Sequence, residues 1–295
     1  MDPVESVGDF VSKILSRKTS ARSITTYRGH GSTEFKLSPS IFRKSLNREN
    51  EHILLRELIA AHPEDFNGDT TTLEILVRMQ HYSLPTRLLD VSMNPLVALY
   101  FACESIKKRV PTVRAGVKGT RSVESDGHVV ILEVSKTRAR YFDSDTVSCL
   151  SNLARLSWKY KRQIDLEQEL ESFNESTAVK RLLHFIRQEK NGFLAEIEPE
   201  DLDSVYLVKP KQNNKRILAQ AGAFFAFGMT EEISDTNNDG IKISRITIDG
   251  EAKAEILVEL DKLGINEKTL FPEIERAARY ITGTLTPSVM SRLVS

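Results

Sequence analysis

The chain has 295 residues, of which 40% are hydrophobic and 28% are charged, as is typical of a globular protein with one large domain, alone or with a small appendage. Basic and acidic residues balance at 41 each, so the overall charge gives no reason to expect nucleic-acid binding. No apolar run approaches the ~18–20 residues that span a bilayer, no signal peptide is visible, and Cys103 and Cys149 lie outside any metal-ligand spacing; these features favour a cytoplasmic protein.

Hydrophobic periodicity predicts a mixed α/β (α+β) fold in which helices are inserted between strands. We expect a helix within residues 1–22, a large domain over 23–282 and a tail over 283–295. In chain order, the predicted elements are helix Glu5–Leu15, a strand starting at Ile24, helices Arg48–Ala61 and Leu73–Met79, strand Leu88–Ser92, a helix from Pro95 to Cys103, strand Gly127–Val134, helices Val147–Tyr160 and Thr177–Gln188, strands Val205–Val208, Phe224–Phe227 and Ile243–Ile248, and helix Glu251–Leu263, ended by Gly264.

The segment Met79–Cys103 contains polar residues where core packing alone would not place them. In a short buried strand, the side chain of Asp90 points to the face opposite that of Leu89 and Val91. Asn94 with Pro95 is a typical helix start. The strand therefore delivers Asp90 and Ser92 to a helix N-terminus, where backbone N–H groups favour an anionic ligand such as a phosphate. A purely structural interpretation is also open, in which Asp90 and Ser92 cap the helix and Arg87 pairs with a neighbouring carboxylate.

A second polar segment follows the first predicted strand, with Arg28, Gly29, His30, Gly31 and Ser32 in a row. Glycine lets a backbone approach a ligand closely, and arginine can form paired hydrogen bonds with phosphate or ribose oxygens. Taken alone, such a run is more often an ordinary turn.

Together the two segments resemble the FRG domain family, which is named for a (Phe/Tyr)-Arg-Gly motif that stands here as Tyr27-Arg28-Gly29. The resemblance runs in order from Tyr27 to about Tyr280. Its further pieces are Leu37–Arg43, Gln80–Cys103, Arg216–Phe224, Leu260–Asn266 and Leu270–Pro272.

The order of these motifs is also similar to the arginine, serine, glutamate layout of ADP-ribosyltransferases, which implies a split β-sheet core with inserted helices and NAD as co-substrate. This resemblance implies that Arg28 holds the NAD phosphate and ribose, that Gly29 offers backbone groups to the carboxamide, and that Tyr27 or Tyr82 stacks on the nicotinamide. The usual late glutamate is replaced by Gln220, which cannot act as a base. Asp90 is then the first candidate carboxylate and Glu34 the second. A structural role for Gln220, which would align the Phe224–Phe227 core, stays open.

The full set of predicted site residues is Arg28, Asp90 and Gln220 as catalytic residues and Tyr27, Gly29, His30, His81, Tyr82, Thr86, Arg87, Ser92 and Asn94 as cofactor-binding residues.

Basic residues cluster after the predicted Pro95 helix in a stretch that reads as a loop, and near Trp158 and Tyr160, where aromatic rings could stack on bases. These clusters predict a nucleic-acid partner bound through Lys107, Lys108, Arg109, Lys159, Lys161 and Arg162. A third basic group precedes Gln220. The turn at Asp235–Gly240 lacks the glutamate of a calcium loop, so no metal is expected there.

The resemblance therefore implies an NAD-dependent ADP-ribosyltransferase that modifies a cellular macromolecule, with RNA slightly favoured over protein as the acceptor. Because such an activity would poison its own cell, it also implies a toxin of a bacterial toxin–antitoxin or defence system with a neutralising protein partner. Two alternatives remain: a non-catalytic nucleotide-binding signalling module and an NAD glycohydrolase.

Overall fold

The computed structural model describes residues 2–18, 20–114, 117–212, 214–236 and 240–284. The helices are α1 Val7–Leu15, α2 Ser45–Glu49, α3 Glu51–Ala61, α4 Pro63–Phe66, α5 Thr72–His81, α6 Pro95–Ala102, α7 Asp145–Asn152, α8 Trp158–Lys161, α9 Leu170–Glu175, α10 Thr177–Glu189, α11 Pro199–Leu202, α12 Lys215–Ala219, α13 Lys253–Lys262, α14 Glu267–Leu270 and α15 Ile274–Thr284. The strands are β1 Ser23–His30, β2 Leu88–Ser92, β3 Lys107–Arg114, β4 Val117–Glu124, β5 Gly127–Ser135, β6 Ala139–Tyr141, β7 Val205–Lys209, β8 Gly222–Phe227 and β9 Ile241–Ile248.

Seven strands form one mixed sheet in the order β6-β7-β8-β2-β1-β5-β9, which confirms the predicted α/β class. All neighbours in this sheet are antiparallel except β6 and β7. The pairing is extensive everywhere except at the centre, where β1 and β2 meet only at Tyr27 and Ser92. Since β1 continues to His30 and β2 pairs with β8 along its whole length, the two halves of the sheet diverge beyond this single pair.

The sheet curls so that one face of each half packs against the other. Leu89 of β2 and Phe225 of β8 belong to the same buried cluster as Val130 and Leu132 of β5, although β1 lies between them in the sheet. The outer face of the β2–β8 half is covered by α5, α7 and α10, and the outer face of the β1–β5 half by α1, α6 and α13. Burial of these apolar faces drives the fold and leaves the divergence of β1 and β2 open on one side.

Helix α6 lies unusually close to β1, and Gly29 makes this approach possible. A Cβ atom at position 29 would stand 2.0 Å from the Ala98 carbonyl oxygen and 2.5 Å from the Ala102 nitrogen. Both are backbone atoms of α6, so a side chain could be accommodated only if the helix moved. The glycine of the Tyr-Arg-Gly motif therefore has a packing role, whatever else its backbone does.

Gly29→Ala is expected to destabilise the protein by about 3 kcal/mol, because overpacking against fixed backbone cannot be relieved by side-chain rotation. Urea unfolding measures the change. Gly68→Ala is the matched control, since nothing lies within 4 Å of a Cβ at that position. Equal stability of the two variants would contradict the packing role of Gly29.

Most predicted elements are confirmed within a few residues, and three differ. The basic stretch expected as a loop is the β3–β4 hairpin, whose valines and threonines between the cations favour strands. The helix predicted over Val147–Tyr160 is broken after α7, where the buried Asn152 side chain bonds the Ser148 carbonyl and Thr72. The helix predicted over Arg48–Ala61 is divided at Asn50.

Gly264 ends α13 with a positive φ of 77°, as expected. Part of the Asp235–Gly240 turn and most of the predicted tail over 283–295 lie outside the described residues. Among the helices that the structure describes, none combines the length and the apolar character needed to cross a bilayer.

Candidate active site

A cleft opens where β1 and β2 diverge. Its central cavity of about 240 Å³ is walled by Arg28, Asp90, Phe35 and Phe101, among other residues. It shares Asp90, Arg216 and Gln220 with a smaller space of about 50 Å³, which leads past His81 to an outer cavity of about 350 Å³. The three spaces form one groove of the size of ordinary ligand sites, which hold roughly 300–1,000 Å³.

Arg28 spans the gap between the diverging strands. Its Nε donates to His30 Nε2 at 3.0 Å, and its Nη1 donates to the Asp90 carbonyl oxygen at 2.5 Å. Burial lowers the pKa of Arg28 to about 10, although the Asp90 charge acts in the opposite direction, so the guanidinium stays charged at neutral pH. Its remaining N–H groups make no hydrogen bond to a described residue and are available to an anionic ligand.

His30 holds Arg28 in this orientation and must be neutral to do so, because an imidazolium has no lone pair to accept the Arg28 N–H. Burial and the nearby charge of Arg28 lower the pKa of His30 to about 3. Its ring lies 5.5 Å from that of His128, whose pKa burial lowers to about 4. Both histidines are therefore neutral at physiological pH.

Asp90 is the carboxylate of the central cavity that interacts with its arginines. It interrupts the otherwise buried strand β2 and opens into the cavity, while Gln80 Nε2 donates to its Oδ2 at 2.6 Å. Thr86 orients that glutamine by donating to Gln80 Oε1 at 2.8 Å. Enclosure by the cleft raises the pKa of Asp90, although Arg28, the Gln80 hydrogen bond, Arg216 and Arg43 all favour the ionised form.

Two arginines of the cleft were missed as site residues. Arg43 ends the Leu37–Arg43 motif and is held by the Ser38 carbonyl oxygen at 3.1 and 3.0 Å. Arg216 lies on α12 and stacks on Phe271, with 4.8 Å between the guanidinium carbon and the ring centroid. The signals were present, because both residues lie in segments that carry the resemblance, but only the fold shows that they face Asp90. Gln80, which orients Asp90, was missed in the same way.

Gln220 has a structural tie in addition to its place in the cleft. Its Nε2 donates to the Leu270 carbonyl oxygen at 3.0 Å, which anchors the C-terminal segment beside the site. Its own carbonyl accepts the Ser92 hydroxyl at 2.7 Å, and the next residue, Ala221, has a φ of 45°. Ser92 thus fastens the start of β8 to the end of β2.

The remaining predicted residues fall into two groups. Tyr27, Gly29 and His30 line the central cavity, and His81 and Tyr82 line the outer one, where His81 Nε2 lies 3.1 Å from Glu273 Oε1. By contrast, Asn94 caps α6 by accepting the Leu96 N–H, and Thr86 and Arg87 are buried outside the cavities. Arg87 forms an ion pair with Glu51, as does Lys161, so neither cation faces a ligand.

Residues 23–110 match the model of the FRG domain. The chain carries a domain of the FRG family. The matched residues of the FRG domain include Arg28, Arg43, Gln80 and Asp90, whereas Arg216 and Gln220 lie beyond them. No curated protein and no solved structure matches the chain significantly.

Proposed function

We propose that this protein is an ADP-ribosyltransferase that binds NAD in the cleft between β1 and β2. The observation that carries the proposal is the meeting of three separate chain segments at this cleft: Arg28 on β1, Asp90 on β2 and Gln220 before β8. The strand order β8-β2-β1 makes the three positions neighbours, as the arginine, serine, glutamate layout requires.

The charges of the cleft suit a pyrophosphate. Three arginines, Arg28, Arg43 and Arg216, line the central cavity with two carboxylates, Asp90 and Glu104, which leaves an excess of positive charge for an anionic ligand. Phe35, Phe101 and Tyr27 supply flat walls for an aromatic base or a nicotinamide ring. These features fit the dinucleotide, with phosphates at the arginines and rings against the aromatic walls.

The reaction would break the bond between the nicotinamide nitrogen and the anomeric carbon of the ribose and form a bond from that carbon to an acceptor oxygen or nitrogen, whose proton leaves to a base or to water. Positive charge develops on the ribose during this substitution. In the ionised form, Asp90 stabilises that charge, and the Thr86–Gln80 chain of hydrogen bonds fixes the carboxylate. Gln220 can donate or accept a hydrogen bond there but carries no charge.

A second candidate is a non-catalytic module that binds a nucleotide and signals through partners. One observation favours it: the amide of Gln220, at the place of the usual glutamate, is engaged with the Leu270 carbonyl oxygen. An NAD glycohydrolase would use the same groups with water as the acceptor.

The test is incubation of the purified chain with NAD labelled on the adenosine side, separately with RNA, DNA and protein, following label transfer and nicotinamide release together. Transfer to one polymer is expected. Nicotinamide release without transfer would indicate hydrolysis, and NAD binding without either product would indicate the binding module.

Arg28→Lys is expected to weaken NAD binding by at least about tenfold, because a lysine cannot reproduce the paired hydrogen bonds of a guanidinium. Isothermal titration of NAD measures the loss. Lys44→Gln is the control, since this exposed lysine lies outside the lining of the cleft. Unchanged NAD affinity in Arg28→Lys would exclude the cleft as the NAD site.

If the transferase acts as a toxin, induced expression of the unaltered chain arrests bacterial growth and Arg28→Lys relieves the arrest.

A further inference from the structure

The β3–β4 hairpin stands outside the seven-stranded sheet as a separate two-stranded sheet, paired from Lys107 with Glu124 to Arg114 with Val117. We call the described residues 107–114 and 117–124 the basic arm. No described side chain of the arm belongs to any of the four hydrophobic clusters. The core therefore does not need the arm, and its composition is free to serve contacts with another molecule.

Four cations of the basic arm are exposed: Lys107, Lys108, Arg109 and Arg121. None of them forms an ion pair or a side-chain hydrogen bond with any residue that the structure describes. The arm's acid, Glu124, lies opposite Lys107 in the ladder but turns inward, where it accepts from the Ile106 N–H at 2.5 Å and the Ser105 hydroxyl at 2.9 Å. In a chain with no net charge, the arm is thus a concentrated positive surface.

The basic arm leaves the fold at the rim of the Arg28 cleft. Lys253 is buried and its Nζ donates to the carbonyl oxygens of Gly31 at 2.7 Å and Glu104 at 2.9 Å, and both of these residues line the cleft. A Cβ at Gly31 would lie 2.9 Å from Ile106, the residue before the arm. The root of the arm is therefore packed directly on the cleft wall.

We propose that the basic arm binds the phosphodiester backbone of a nucleic acid and holds it as the acceptor beside the cleft. The part concerning the acceptor rests on the proposed transferase function; the binding itself does not. Exposed lysines also protect free strand edges against aggregation, but that role needs no particular position in the fold. The place of the arm at the mouth of the cleft and its unpaired cations favour a polyanion.

The experiment compares the unaltered chain with the variant K107Q/K108Q/R109Q/R121Q, using fluorescence anisotropy of labelled single-stranded RNA and DNA oligonucleotides in the absence of NAD. Loss of four phosphate contacts is expected to weaken binding at low salt by at least about tenfold and to reduce the slope of log K against log salt by about 3. The matched control is K18Q/K136Q/K242Q/K262Q, which removes four exposed lysines that form no ion pair with a described residue.

Equal binding by the arm variant, equal loss in the control, or no binding by the unaltered chain would overturn the proposal. Displacement of the oligonucleotide by polyglutamate at equal charge would also overturn it, because the arm would then be a site for acidic protein. RNA and DNA probes distinguish the two nucleic acids. NAD titration is expected to be unchanged in the arm variant, so failure of the arm and failure of the NAD site give different results.

Discussion

Asp90→Asn is expected to lower ADP-ribosyl transfer by about 100- to 1,000-fold while leaving NAD binding within a few fold of the unaltered chain. The carboxylate acts on charge that develops only in the transition state, and removal of one such electrostatic group typically costs this much. Asparagine keeps the size of the side chain and can still accept the Gln80 N–H, so the cleft should retain its shape. Single-turnover release of nicotinamide, with NAD titration alongside, measures the two effects separately.

The same substitution is expected to raise the thermal stability at neutral pH. Folding raises the pKa of Asp90, so the folded state holds its proton at pH values where the unfolded state has already lost it. Stability therefore falls as the pH rises from about 3.8, the ordinary value, through the raised pKa, and the loss persists at neutral pH. Asp90→Asn removes this loss, and its advantage in melting temperature should vanish at acid pH.

The pH dependence of transfer follows from the same shift. The reaction needs the ionised carboxylate, so the rate should decline as the pH falls through a pKa higher than that of an ordinary aspartate. Glu34→Gln is the control, because Glu34 is exposed and lies outside the lining of the central cavity. If Glu34→Gln loses transfer and Asp90→Asn retains it, Glu34 is the catalytic carboxylate.

The central elements could be predicted because their signals are local. The alternation around Asp90, with buried residues on both sides, marks β2, and Asn94 with Pro95 marks the start of α6. The far wall of the cleft could not be predicted from local sequence, since it is formed by β8 and α12, which lie more than 120 residues after β2 in the chain. Arg216 faces Asp90 only because of that long-range pairing.

The basic stretches also could not be assigned from local sequence alone, because the burial of each cation depends on distant residues. Lys161 belongs to the basic run Lys159–Arg162, and nothing in the local sequence distinguishes it from Lys159, which is exposed. Its burial is decided by Glu51, 110 positions earlier in the chain. Likewise, the motif that placed Arg87 among ligand-binding candidates could not show that its partner lies on α3. Charge patterns identify candidates, and only tertiary contacts separate ion pairs of the core from free cations.

The ion pairs of Glu51 carry the largest expected effect on stability. Glu51 lies within 2.5 Å of both Arg87 and Lys161, and all three side chains are almost completely buried. Burial alone would raise the pKa of Glu51, but the two cations and their hydrogen bonds outweigh it and lower the pKa to about 2. Glu51→Ala is expected to reduce the free energy of unfolding by about 3–5 kcal/mol, because two buried cations lose their counter-charge.

Urea unfolding at neutral pH measures this loss, and the sign of its pH dependence follows from the lowered pKa. The ionised carboxylate stabilises the fold above about pH 4.5, and this contribution disappears as the pH falls towards 2. The difference between Glu51→Ala and the unaltered chain should therefore narrow over that range. Glu49→Ala is the control, since Glu49 is exposed at the end of α2; an equal loss in both variants would contradict the argument.

A triple variant, E51L/R87M/K161M, separates stability from ligand binding. It leaves no buried charge without a partner, so it should be more stable than Glu51→Ala, although it loses the Arg87 hydrogen bonds to the carbonyl oxygens of Phe227 and Gly228. Because Arg87 is buried away from the cavities, the folded triple variant is expected to bind NAD as the unaltered chain does. Loss of NAD affinity in a stably folded triple variant would instead restore Arg87 as a ligand-binding residue.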